Sequence, residues 1–188
     1  MLLKMRITKD NTVEIEIPEG VEFSLDGHTI IAKGPKGETK RNIYDPDISV
    51  ELAQGKVVLK PKRLKKPQKK RMGTIAAHIK NMIKGVTQGI LYKLKICSGH
   101  FPMSVQVRGQ EFVVSNFIGE KFPRVLKLKY DDVKVEVNGD IVEVSGVDKE
   151  RVAQTAADIE MLLKRTEYDK RIYQDGIYII EKDGKPVK

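Results

Sequence analysis

Short runs of alternating apolar and polar residues fill most of the chain, and two longer runs repeat apolar residues at three- and four-residue spacing. The alternation predicts strands at Thr12–Ile17, Val21–Leu25, Thr29–Lys33, Glu38–Ile43, Ile48–Leu52 and Lys56–Lys60. It predicts a second set at Ile90–Ile96, Met103–Val107, Glu111–Ser115, Arg124–Leu128, Val133–Val137 and Asp140–Val144. Turn residues separate them: Pro18-Glu19-Gly20, Asp26-Gly27, Gly34-Pro35-Lys36-Gly37 and Asn138-Gly139. Asp-Gly and Asn-Gly supply the positive φ values of tight hairpins. Helical spacing puts Met72, Ile75, Ile79, Met82 and Ile83 on one face, and later Val152, Ala156, Ile159, Leu162 and Leu163. Asp175-Gly176 reads as a turn and Ile177–Ile180 as a last strand.

The two sets are one pattern used twice. Gly27, Ile30, Ala32, Gly37 and Glu38 match Gly109, Phe112, Val114, Gly119 and Glu120, and Val50-Glu51-Leu52 matches Val135-Glu136-Val137. Arg71, Ala76, Ala77, Ile79, Ile83 and Lys84 match Arg151, Ala156, Ala157, Ile159, Leu163 and Lys164. A repeat this long is a duplicated domain rather than a solenoid. The expected fold is α+β: two tandem copies of a small domain of antiparallel strands with one packed helix. The expected boundaries are 1–85 and 86–188.

Charge adds a partner class. The 188 residues carry 35 Lys+Arg against 26 Asp+Glu, net +9. Residues 1–85 hold 18 basic and 10 acidic side chains, whereas residues 86–188 hold 17 and 16, so the excess lies in the first half. Within Lys60–Arg71, eight of twelve residues are basic and none is acidic. Pro61 and Pro67 keep this stretch from being wholly helical, so it reads as an extended basic loop leading into a helix. A solvated face is the ordinary meaning of a charge run. An acid-free one repels itself, and phosphates relieve that repulsion. Leu64 is its one bulky apolar residue, which argues against an amphipathic membrane helix. No apolar run approaches the ~18–20 residues of a membrane span, and the N-terminus lacks the form of a signal peptide. A cytoplasmic protein is expected.

Catalytic chemistry finds no support in the spacing. Cys97 stands alone, so there is no intrachain disulfide, and it reads as a small buried hydrophobe. His28, His78 and His100 form no ligand pair, with His78 expected toward solvent. The phosphate loop, dinucleotide fingerprint and nucleophile elbow are missing, and Gly34-Pro35-Lys36-Gly37 reads as a hairpin. No metal, cofactor or catalytic residue is expected. The basic-Gly-aromatic pattern of single-strand readers is missing too, so recognition of backbone and shape in a folded nucleic acid fits better.

A second basic and aromatic segment follows the second helix: Lys164-Arg165, then Lys170-Arg171-Ile172-Tyr173 and Tyr178 to Lys182. Either Tyr173 and Tyr178 pack on the second domain while 183–188 frays, or a partner orders this end.

Several stretches resemble the L-six family of large-subunit ribosomal proteins in its archaeal and eukaryotic branch. They are Lys33–Glu38, Asn81–Gly89, His100-Phe101-Pro102, Asn116–Lys121 and Arg171–Ile179, with tyrosine at 173 where the branch's pattern has phenylalanine. The resemblance spans essentially the whole chain. It implies two copies of one α+β fold and a structural RNA-binding role beside the sarcin–ricin loop, near the landing site of translational GTPases. It also implies rRNA contact largely through the second domain, whereas charge favours the first. The two agree if both basic segments reach RNA. The candidate phosphate contacts are then Lys62, Arg63, Lys65, Lys66, Lys69, Lys70 and Arg71 in the first copy. In the second they are Lys164, Arg165, Lys170, Arg171 and Lys182, with Tyr173 and Tyr178 positioning the terminal segment. Expected partners are large-subunit rRNA, neighbouring large-subunit proteins and the translational GTPases, with no membrane and no homo-oligomer. The alternative is a protein-interaction adaptor at the translation-factor site whose RNA contact is incidental.

Overall fold

The computed structural model describes residues 5–7, 12–53, 55–63, 65–169 and 171–187, and the chain divides into two compact units after Gly89. The first unit contains β1 (Met5–Ile7), β2 (Val13–Glu16), β3 (Glu22–Asp26), β4 (Thr29–Gly34), β5 (Gly37–Asn42), β6 (Ile48–Ala53), β7 (Lys56–Pro61) and α1 (Lys66–Gln88). The second contains β8 (Ile90–Cys97), β9 (Ser104–Arg108), β10 (Glu111–Ser115), β11 (Arg124–Lys127), β12 (Lys134–Asn138), β13 (Ile141–Gly146), α2 (Lys149–Leu162), β14 (Gly176–Lys182) and β15 (Lys185–Pro186).

The topology repeats as the sequence does. Strands β2-β7-β6 lie side by side in the first unit and β8-β13-β12 in the second, while β3-β4-β5 and β9-β10-β11 form the smaller sheets. The fold is therefore α+β, with two copies of one unit and antiparallel pairing between these strands. The matched residues do matched work. Gly27 and Gly109 turn the equivalent hairpins at φ 59° and 61°. Ile30 and Phe112 are fully buried, as are Ala32 and Val114. Taking Ile30, Phe112 or Val114 out of water contributes about 1.5–3 kcal/mol each. The copies differ beside the first strand: β1 flanks β2, whereas β14 flanks β8 and carries β15 on its outer side.

The helices follow their apolar faces. Met72, Ile75, Ile79, Met82 and Ile83 are buried under α1, and Val152, Ala156, Ile159 and Leu163 under α2. Asp148 caps α2 by accepting from the Glu150 N–H at 2.9 Å. Pro67 lies in the first turn of α1, where a missing N–H costs nothing. So the helix claims most of the second half of the basic run, and Pro61 closes β7 before it. The helix also carries on past Gly85 to Gln88. Val86 is buried there, and its carbonyl accepts the Lys36 N–H at 2.9 Å, seating the β4–β5 hairpin on the helix end. Gly34 permits that approach, because a Cβ on it would stand 2.8 Å from the Val86 carbonyl oxygen.

Other local expectations shift. Cys97 is half-buried at the end of its strand. His78 is half-buried too, its Nε2 lying 3.3 Å from an Arg41 guanidinium nitrogen. Residues 183–187 do not fray: Asp183 and Gly184, at φ 53° and 80°, turn the chain into β15 against β14.

Candidate nucleic-acid interface

The first unit presents its basic run at the start of α1. Lys62, Arg63, Lys65, Lys66, Lys69 and Lys70 are all exposed. A helix N-terminus carries partial positive charge and favours acids. This one has no acidic residue in its first turn, and Lys65 at its cap offers no side-chain acceptor. Cations crowd the wrong end of the helix dipole.

Arg71 belongs to a different arrangement. Its guanidinium donates to Asp47 Oδ2 at 2.6 Å, and Nε lies 3.3 Å from Asp45 Oδ2. Bonds from Arg71, then from Gln68, hold the Asp47 carboxyl below its usual range. The second unit repeats the device: Arg151, the duplicate of Arg71, lies 3.0 Å from Asp132 and 3.6 Å from Asp148. Ile48 and Val133 follow the paired aspartates and are both buried. The repeat makes this arginine a tie between helix and strand turn.

In the second unit a connected network runs from the loop after β10 to the start of β14. Asn116, Ile118 and Gly119 take left-handed conformations at φ 60°, 48° and 75° around a single 3-10 turn. A β-branched residue such as Ile118 is strained there, and such strain gathers at ligand clamps. The turn delivers Glu120, which binds Arg124 through both oxygens at 2.8 Å and lies 3.5 Å from Arg165. The Arg124 bonds hold Glu120 below the usual carboxylate range. Arg124 also caps α2 by donating to the Leu162 carbonyl at 2.7 Å. Arg165 lies over the Tyr168 ring at 4.5 Å, Tyr168 meets Tyr173 edge-on at 4.9 Å, and Tyr173 lies against His100 at 4.8 Å.

Asp175 anchors the far end. Its side chain is 1% exposed. It accepts from the Gly99 N–H at 2.6 Å, the His100 N–H at 3.0 Å and His100 Nδ1 at 2.6 Å. Burial pushes its carboxyl up, but bonds from His100 and Gly99 outweigh that and leave it below its ordinary value. Between this anchor and α2 lies a cleft of about 270 Å³, floored by Phe117, Leu163 and Ile177 and rimmed by Lys164, Arg165 and the tyrosines. Burial first, then Cys97, Asp175 and Glu160, push the Tyr178 hydroxyl up.

The model of the family described as ribosomal protein L6 matches residues 17–89 and 101–176. The large ribosomal subunit protein uL6 of Methanosarcina mazei is 46% identical over 176 residues, 94% of this chain and 99% of that protein. Its counterpart from Methanothrix thermoacetophila is 43% identical over 168 residues, 89% of this chain and 95% of that protein. The chain belongs to the ribosomal protein L6 family. It is thus of archaeal type, a structural constituent of the large ribosomal subunit rather than an enzyme. Association with large-subunit rRNA and ribosomal proteins follows, as does a place on the cytoplasmic ribosome.

For this L6-family chain, the sequence candidates fall into separate groups. Lys164, Arg165, Tyr173 and Tyr178 come together around the cleft. Arg171 is exposed nearby in sequence, its N–H bonded to Asp169 Oδ1 at 2.9 Å. Lys170 lies outside the described residues. Lys182 pairs with Tyr92 at the other end of β14, about 20 Å along the strand from Gly176. Asp175-Gly176 is not a tight turn but a buried anchor and the first residue of β14. Spacing gave no hint of the His100–Asp175 pair, whose members lie 75 residues apart. Glu120, Arg124, Glu160 and Tyr168 were missed as well. Their one visible signal was the local Glu120–Arg124 spacing.

Proposed function

We propose that this protein holds folded large-subunit rRNA through two basic faces. One is the exposed set Lys62, Arg63, Lys65, Lys66, Lys69 and Lys70. The other is the rim formed by Lys164 and Arg165, with Arg171 and the unplaced Lys170 beside it in sequence. The observation that carries the reading is the crowd of lysines at the acid-free start of α1, a charge distribution that phosphate relieves. Arg71 acts from within, fixing the helix start by its aspartate ties. Tyr173 and Tyr178 shape the second face, and Lys182 touches RNA only as a separate point. The resemblance of the sequence adds the place: beside the sarcin–ricin loop, next to neighbouring large-subunit proteins and within reach of translational GTPases.

The test is binding of the purified chain to a large-subunit rRNA fragment containing the sarcin–ricin stem over a salt series, with an unrelated duplex RNA as control. About six phosphate contacts give a slope of log K against log salt of roughly −4 to −5. Preference for the fragment with that slope supports the reading. Equal binding to both RNAs removes the specific site.

A further inference from the structure

The second unit's cleft has features that phosphate binding does not use. Phosphates need cations and N–H donors. The cleft contains an apolar floor, two tyrosine rings in edge-on contact and, on its α2 side, the carboxylate of Glu160. A carboxylate would repel a phosphate and accepts only from donors. One Glu160 oxygen, Oε1, meets the Ile179 N–H at a long 3.5 Å, which leaves most of the group's accepting capacity unused. Lys164 and Arg165 stand at the rim, one exposed and one over the Tyr168 ring. The volume, about 270 Å³, suits one flat heterocycle rather than a stack or a helix. Strain at Ile118 on the lining marks a wall held in place against its own backbone preference.

We infer that the cleft takes a single unstacked guanine base of the bound RNA, an assignment that rests on the rRNA-binding reading above. Guanine alone among the four bases offers two neighbouring N–H donors on one edge, N1–H and the N2 amine, which one carboxylate can accept together. Tyr168 and Tyr173 supply ring surface, as aromatic side chains do for splayed bases. Lys164 and Arg165 meet the phosphates on either side of the extruded nucleotide. Electrostatics favours this occupant over an apolar side chain of a neighbouring protein, which would offer the Glu160 carboxylate no donor.

The test uses the full chain bound to the same rRNA fragment, probed with kethoxal, which adds across N1 and N2 of unpaired guanines. Wild type should shield one guanine that is reactive in the free RNA. Glu160→Gln keeps size and can still accept from Ile179, but turns a donor toward the base. It should lose the shielding and bind about tenfold or more weakly, with the salt slope unchanged because no phosphate contact is lost. Met161→Trp, from an exposed rim position, should fill the cleft and abolish the same shielding while leaving Glu160 in place. Unchanged unfolding midpoints would show that both variants fold. If wild type binds the fragment and no guanine differs between it and either variant, the assignment is overturned while rRNA binding stands. If wild type prefers no fragment over control duplex, the broader reading falls and takes this one with it.

Discussion

Replacing Asp175 by alanine removes one carboxylate that three donors share. Two are backbone N–H groups and one is the His100 ring, at 2.6–3.0 Å. Hydrogen bonds to a charged group are worth about 1.5–3 kcal/mol each. Gly99 and His100 are themselves exposed, so water can serve the freed donors in part. We therefore expect a loss of about 2–4 kcal/mol rather than the full sum. For a unit of this size that lowers the unfolding midpoint by on the order of 10–20 °C. Calorimetry of wild type and variant, following the transition of the second unit, measures it. Acid provides an independent reading. The carboxyl is held below its ordinary 3.8 in the folded chain. Its contribution is fully present above that value and is lost as pH falls through the lower folded one. Wild type should thus lose more second-unit stability below about pH 4 than Asp175→Asn does. A midpoint within about 3 °C of wild type for Asp175→Ala, or equal acid sensitivity in Asp175→Asn, would refute the anchor.

Four other outcomes are expected. Lys65/Lys66/Lys69/Lys70→Glu should weaken binding to the sarcin–ricin fragment and flatten the salt slope, as read by filter binding, without lowering stability. Arg71→Gln should do the opposite, lowering the first unit's unfolding midpoint while leaving the salt slope in place. Gly34→Ala forces a Cβ against the Val86 carbonyl and should destabilise the first unit by about 1–3 kcal/mol in urea unfolding. Phe112→Ala, at a fully buried site, should cost the second unit about 3–5 kcal/mol in the same assay.

Strands and helices were legible because each copy has a single buried face, and alternation or helical spacing reports that face directly. Ile30 and Phe112 show this: their matched positions in sequence became matched positions in the core. The duplication also exposed what Arg71 does once the structure was known, since Arg151 makes the same kind of tie. Without the aspartates in space, Arg71 looked like one more cation in a basic run. The His100–Asp175 pair was beyond reach for a different reason. It joins the ends of β8 and β14, and sequence spacing carries no trace of a contact closed by a sheet. Asp175 before a glycine has the local signature of a turn, and only burial distinguishes an anchor from one. The cleft depends on a left-handed Ile118, a conformation that the side chain itself disfavours and that the sequence therefore argues against.

The position of β14 bears on how the chain matures as it is made. In the first copy the edge of β2 is covered by β1, which lies before it, so that sheet has all its strands once Pro61 has emerged and its helix once Gln88 has. In the second copy the edge of β8 waits for β14, some eighty residues later in synthesis. Until residues 176–182 have been added, the emerging chain carries an open strand edge of the kind that pairs with strangers. The first unit can close early; the second stays vulnerable to its last stretch, and a chain cut short before β14 should be the one that aggregates.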